Sequence, residues 1–423
     1  MITLLEVKKI VASPIVWILL LLFTAFNSYQ IYMHAPMKDN MHLVNAIIDE
    51  HGTVMDEQGQ ANLKADYLEE MQAWNELSKK KQGQTYATMQ DFFQAENYYS
   101  IMDNNVYSEK EMVYASNLAV KETYVLEAEE IVQRYHNINV EDLATNYIRL
   151  FRLSGEAAEV VKKHYHSFQP RFDELKQNDE YLSLFFNGKA YETHSFLFRS
   201  LFLSVMIEAA LLIALVTSFI VNYEFDQRTA LVTYSTKRGR QIVKNKLNAA
   251  IIASMTMVAF LLSSTLFTYF LVFDYSRLWH VPISSGFLTE SNNMAFMSWW
   301  KLSFLQYVLL SCGLVFVTLF LVTLMIFVLS MWIRNSYVVF FLFFIIAGLF
   351  ILLPGEIPRN SEWIIYAHYT PFSLMLGVKY WWMESGAFTT YKYYELVTVS
   401  VWFVLFATTS LFCIKRFYQQ NLS

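Results

Sequence analysis

Six long apolar stretches constrain this chain of 423 residues more than any other feature: Val11–Met33, Ser195–Val221, Leu247–Phe273, Ser303–Trp332, Tyr337–Leu353 and Leu396–Cys413. A hydrocarbon layer about 30 Å thick is crossed by roughly 17–25 apolar residues in a helix. Inside it the backbone must satisfy its own hydrogen bonds, which a helix does within one segment. Six membrane-spanning helices are therefore the expected frame. The fifth and sixth stretches sit near the short limit, and the fourth is long enough to tilt or to begin outside the layer. Only Arg334-Asn335-Ser336 separates the fourth from the fifth. A charge in hydrocarbon is costly, so a tight turn is expected there and not one bent helix.

The placement of Lys and Arg sets the direction. Lys8 and Lys9 precede the first stretch. Arg228, Lys237, Arg238, Arg240, Lys244 and Lys246 follow the second. Arg334 follows the fourth, and Lys415 and Arg416 follow the sixth. Six spans put all of these on one side, predicted to be the cytoplasm, with both termini there. The N-terminal stretch has no small-residue cleavage motif and reads as an uncleaved anchor. The other side holds 34–194, 274–302 and 354–395, whose shorter loops are rich in tryptophan (Trp279, Trp299, Trp300, Trp363, Trp381 and Trp382), a ring that favours the headgroup level. The prediction is a multi-pass cell-membrane protein with the lipid bilayer as its first partner.

Charge is divided unevenly. Residues 34–194 carry 15 Lys/Arg and 27 Asp/Glu, a net of −12, while the rest of the chain is net +7. An acidic block is thus set into an apolar, mildly basic chain, and nothing in the balance points to nucleic acid. The block has no proline between Pro36 and Pro170 and few glycines, which favours helices. Leu143, Tyr147, Leu150, Phe151, Ala157, Ala158 and Val161 recur at helical spacing, and Asn139 stands where an N-cap would. Met41–Lys81 and Val120–His136 are similar but less regular. The expected domains are 1–33, an N-terminal segment and first span; 34–194, a mainly helical extracytoplasmic domain; and 195–423, a five-span membrane domain.

Catalytic signatures are missing. The chain has no G-x-x-x-x-G-K-[ST] phosphate loop and no H-E-x-x-H, G-x-S-x-G or C-x-x-C. The reading is a chain that is not an enzyme and holds no cofactor or metal, any ATP being bound by a separate subunit. Cys312 and Cys413 lie in apolar runs and read as small apolar filler. His164 and His166, one residue apart, fall on different faces of a helix and read as solvated surface histidines.

The informative stretch runs from Tyr223 to Lys246. It starts acidic at Glu224 and Asp226, continues through a short amphipathic segment, and turns basic as it enters the third span. In this stretch the chain resembles the membrane subunits of type-2 ABC exporters. Glu224, Leu231, Thr233, Arg238 and Lys244 or Lys246 match that family's acidic residue, Leu-x-Thr/Ser helix and basic positions. Arg228-Thr229 stands where the family often has Gly-Thr, and Thr236-Lys237 where it has a proline. The resemblance extends to the plan. Met1–Ala12 fits an amphipathic helix lying on the membrane with Lys8 and Lys9 in the headgroups, and Gly355–Lys392 fits short outer helices or a re-entrant segment before the last span.

The resemblance implies an all-α fold with six spans, an N-terminal amphipathic helix and an extracytoplasmic domain. It further implies a permease that dimerises with itself or a relative, docks a separate ABC ATPase, and exports an amphipathic peptide, lipid or drug. Glu224, Asp226, Arg228, Leu231, Thr233, Lys237 and Arg238 are then the ATPase-coupling residues of the 223–246 loop. Glu208, mid-way along the second span, either lines a substrate path or is a protonated acid bonded to another helix. Two other classes stand beside this one. In a sensor or immunity protein the acidic block would bind a peptide or antibiotic. An ion-coupled transporter would need more intramembrane charge and internal symmetry than Glu208 supplies.

Overall fold

The computed structural model describes residues 2–95, 97–235, 237–290 and 294–419; the side chains of Lys189, Lys237, Arg238, Thr289, Glu290, Met294 and Ala295 lie outside that description. The described residues are overwhelmingly helical. The chain opens with α1 (Ile2–Val11) and α2 (Pro14–His34), and a short 3-10 turn leads into α3 (Lys38–His51). Gly52, at φ 83°, ends α3 in a conformation that only a residue without a Cβ adopts cheaply. Then come α4 (Glu57–Gln82), α5 (Met89–Phe93), α6 (Tyr98–Asp103) and α7 (Glu109–Asn137). A reciprocal Ser108–Glu111 capping box starts α7.

The next segment departs from the sequence pattern. The helical spacing through Leu143–Val161 is split into α8 (Val140–Leu150) and α9 (Gly155–Gln177). Arg152 and Gly155 between them take φ of 54° and 51°. The break seats the block against a distant segment. Ser154 N–H donates to the Arg359 carbonyl at 3.1 Å, and a Cβ on Gly155 would come within 3.0 Å of the Asn360 carbonyl. Asn139 does cap α8, its side chain accepting from Glu141 N–H at 2.9 Å.

After the block, α10 (Gly188–Phe196) runs through a π-turn at Leu197–Leu201 into α11 (Phe202–Asp226). Two short helices follow, α12 (Ala230–Tyr234) and α13 (Lys237–Arg240), then α14 (Ile242–Val272). The 274–302 loop carries a two-residue antiparallel ladder, β1 (Thr289–Glu290) with β2 (Met294–Ala295). The remainder is α15 (Phe304–Trp332), α16 (Ser336–Glu356), the short α17 (Trp363–Tyr366) and α18 (Pro371–Leu376), and α19 (Tyr394–Gln419).

Six of these helical runs are long and apolar enough to cross a membrane, and they lie over the six predicted stretches. The fourth and fifth are separate helices: α15 ends at Trp332, and the Asn335 side chain opens α16 by accepting from Val338 N–H at 3.0 Å. Within the bundle α11 is central, packing against α2, α14, α15 and α16. Its buried Ala209, Ala210, Ala214 and Ser218 let neighbouring backbones approach closely.

The acidic block folds around large aromatics. Trp74 is fully buried, stacked on Tyr107 at 4.9 Å and edge-on to Phe92 at 5.0 Å. Burying side chains of this size stabilises by about 1.5–3 kcal/mol each. The loops between the span helices join the same body. Phe168 packs edge-on against Trp299 at 4.9 Å. Arg171 grips Glu180 through two bonds of 3.0 and 2.7 Å and donates to the Ser298 carbonyl at 3.2 Å. One of the two paired histidines differs from expectation. His166 is exposed, but His164 is largely covered beside Tyr391 at 5.1 Å, and burial holds its pKa down to about 4.

Glu384, on the loop before α19, is fully buried, and its Oε2 has no hydrogen-bond partner among the described residues. Burial pushes its pKa up to about 8. A carboxyl whose folded pKa is raised loses native stability as pH climbs from its ordinary value near 4.5 to the folded one. Thermal unfolding in detergent between about pH 5 and 8 should therefore show a declining Tm that Glu384→Gln flattens; parallel profiles for the two proteins would remove this residue as the cause.

Candidate functional site

The 223–246 loop sits where the ends of several helices converge. Lys246 belongs to the buried stripe Val243, Lys246, Ala249, Ala250 and Ala253 of α14, so helical spacing carries its ammonium inward. There it donates to the carbonyls of Ile220 (2.7 Å) and Val221 (3.1 Å) and pairs with Glu224 in the last turn of α11. Glu224 also accepts from the Tyr234 hydroxyl at 2.9 Å and from Lys9 at 3.2 Å. Lys9 in turn contacts both oxygens of Glu6 at 2.9 Å. Two carboxylates and two ammoniums thus balance in a knot fed by α1, α11, α12 and α14. Buried charge persists only when paired and hydrogen-bonded in this way.

The electrostatics follow from that packing. Burial opposes the Lys9 charge, but the bonds from Glu6 and the field of Glu224 outweigh it and hold the pKa above the ordinary lysine value. Burial and the neighbouring Glu224 drive the Tyr234 phenol far above its usual range, so it stays a donor. Lys9 was expected among headgroups; the carboxylates of Glu6 and Glu224 draw it inward, while Lys8 remains exposed.

Outside this knot the loop projects. Arg228 takes a left-handed φ of 58°, and Thr229 N–H closes on the Glu224 carbonyl at 2.8 Å. Helix α12 then presents Leu231 and Val232, 67% and 81% exposed, while Tyr234 on the same helix is 1% exposed. Tyr234 is clamped between Phe225 (5.7 Å) and Phe417 of α19 (5.1 Å). Arg240 ties the exit, donating to the Tyr234 carbonyl at 3.2 Å and the Tyr418 carbonyl at 3.1 Å. The arrangement is a short apolar tip on a rigid base.

The expected residues therefore divide. Glu224 lies inside the knot. Asp226 is exposed and accepts from the Ser336 hydroxyl at the start of α16. Arg228 and Leu231 face outward, and Thr233 is half-covered. Lys237 and Arg238 have backbone in α13, but their side chains lie outside the described residues. Of the two lysines matched to one family position, Lys246 enters the knot and Lys244 points away. Glu6, Lys9, Tyr234, Arg240 and Ser336 were not foreseen as part of this site. Helical spacing offered one signal, since Glu6 shares a face with the buried Ile10.

Glu208 lies 16 residues before Glu224 on the same helix, about 24 Å away, and is not brought to the loop. It is buried and accepts from Asn27 Nδ2 of α2 at 2.8 Å; the same nitrogen reaches Thr265 of α14 at 3.2 Å. A three-helix polar contact thus surrounds it. In the block, Glu50, His51 and Asp66 converge with metal-like spacing. The Lys121 ammonium already occupies that position, bonding Asp66 and Glu70. Its hydrogen bond is the main reason that the Asp66 pKa lies below the ordinary value.

Compared with protein-family models, with curated proteins and with solved structures, the chain matches none.

Proposed function

We propose that this chain is the permease subunit of an ATP-powered exporter built on the type-2 ABC plan. In this reading it crosses the cell membrane six times, with both termini and the 223–246 loop in the cytoplasm and the acidic block outside. The observation that carries the reading is α12: an apolar tip, Leu231 and Val232, on a base locked into α1, α11, α14 and α19. A helix of this form suits a hydrophobic groove on a soluble partner. The partner is a separate ABC ATPase, and movement of α12 reaches two spans at once because Lys246 joins α14 to α11. The cargo is an amphipathic peptide, lipid or drug. Broad apolar exposure on α16 and α19, including Phe341, Ile345, Val401 and Val404, suits lipid and a second permease copy, giving twelve spans.

Co-expression with each candidate ABC ATPase of the source organism in turn tests the proposal. Leu231→Asp with Val232→Asp should cut co-purified ATPase by at least about tenfold, a loss of ~1.4 kcal/mol. Membrane insertion and Tm should stay as in the wild type, because both side chains are exposed. Undiminished ATPase recovery would reject α12 as the coupling element.

One observation favours a second reading, a sensor or immunity protein. A cavity of about 370 Å³ in the block is lined by the uncharged polar side chains of Asn40, Ser116, Asn117, Thr123, Tyr124 and Asn187 together with the apolar Phe93, Ala119, Val120 and Ala190. Such a lining suits a peptide or antibiotic backbone. Specific peptide capture by the solubilised chain without any ATPase would favour this reading.

A further inference from the structure

We infer that the α8–α9 turn and α17 together form a foot on which the acidic block rests in the lipid interface, with apolar and aromatic side chains entering the outer leaflet.

Helix α16 fixes the level. Its 21 residues span about 31 Å, close to the ~30 Å hydrocarbon layer, so the chain beyond Glu356 emerges among the headgroups. Arg359 and Asn360 follow at once, and the α8–α9 turn is bonded to both. Ser154 N–H donates to the Arg359 carbonyl at 3.1 Å, and Ala157 N–H donates to the Asn360 carbonyl at 3.4 Å. The turn is also held from the loop before α19. Phe151 packs edge-on against Phe388 at 4.8 Å, and Phe388 stacks on His368 at 4.2 Å.

The side chains left outward suit that level. Leu150 is 65% exposed, although Tyr147 and Leu153 on either side of it are buried. Trp363 and Tyr366 of α17 are 66% and 44% exposed, with their rings edge to face at 5.9 Å. Apolar groups gathered on two segments that are bonded together are unfavourable in water. Amphipathic rings, by contrast, favour the headgroup level. Arg149 and Arg152 flank Leu150 and are exposed, placed to lay their stems on apolar surface and their charges among phosphates. Glu156 and Glu356 are exposed too, at the start of α9 and the end of α16. Net charge therefore does not carry the contact, and neutral phosphatidylcholine suffices. The foot requires that α16 crosses the membrane, as in the proposed function, and requires nothing of the exporter reading.

The full chain in phosphatidylcholine nanodiscs, with Cys312→Ala and Cys413→Ala, tests it. A polarity-sensitive fluorophore is attached at Leu150→Cys, at Leu68→Cys on α4, or at Leu349→Cys on α16. These side chains are 65%, 54% and 62% exposed, so labelling leaves the packing intact. Spin-labelled phosphatidylcholine should quench the label at 150 several-fold more than the label at 68, and aqueous iodide should quench them in the reverse order. High salt should leave the contrast unchanged, because screening acts on charges and not on apolar contact; its loss would overturn the apolar basis of the foot. The label at 349 should be quenched by the lipid however the block sits. Quenching at 349, with the label at 150 behaving as that at 68, would overturn the foot and leave the spans standing. No lipid quenching at 349 would overturn the six-span reading and the foot with it.

Discussion

Lys246→Met is expected to lower stability by about 3–5 kcal/mol, the usual cost of stripping one partner from a buried ion pair. The Lys246 side chain is fully buried and that of Glu224 is 7% exposed, so solvent cannot replace the lost ammonium. Glu224 would keep Tyr234 and Lys9, but the knot would hold one carboxylate in excess, and the Ile220 and Val221 carbonyls would lose a donor. Removing both charges, as Glu224→Leu with Lys246→Met, should recover much of the loss, because Glu6 and Lys9 then balance each other. Thermal and denaturant unfolding in detergent would measure both. A single variant no less stable than the double would mean that the pair does not hold the helix ends together.

Arg171→Met should cost a comparable amount, about 3–5 kcal/mol, at the other end of the molecule. It leaves Glu180, 3% exposed, without its fork and frees the Ser298 and Trp300 carbonyls. Because those carbonyls belong to the loop before α15, the loss should also separate the block from the spans. Faster amide exchange around 296–302, with exchange in α11 unchanged, would be its signature. Arg171→Lys keeps the charge but not the two-pronged geometry and should fall between. Uniform destabilisation without local exchange would show that the pair does not join loop to block.

The difference between what the residues foretold and what the fold contains has a physical basis. Span positions follow from runs of apolar residues alone, and even the α15–α16 split was legible from Arg334. Which span lies at the centre was not, since lipid and protein neighbours are equally apolar; α15 and α16 read alike in hydropathy but differ in burial. Helical spacing was sound within α8 and α9, yet their break depends on Arg359 and Asn360, far along the chain. In the candidate site, Glu224 and Leu231 were legible because they stand beside a recognisable loop. Glu6 and Lys9 were not, because a lysine near a span end has a ready explanation in headgroups until its acidic partners are brought to it.

The unbroken run from Ala190 to Asp226 carries a mechanical consequence. At 37 residues it is about 55 Å long, well beyond the ~30 Å hydrocarbon layer, with the acidic block at one end and Glu224 at the other. Apart from the π-turn at Leu197–Leu201 it is one continuous helix. A pivot of only about 3° near its middle would swing each tip by roughly 1.4 Å, enough to stretch the contacts that clamp Tyr234. The π-turn at Leu197–Leu201 is the place along this rod where such a swing can be absorbed or passed on.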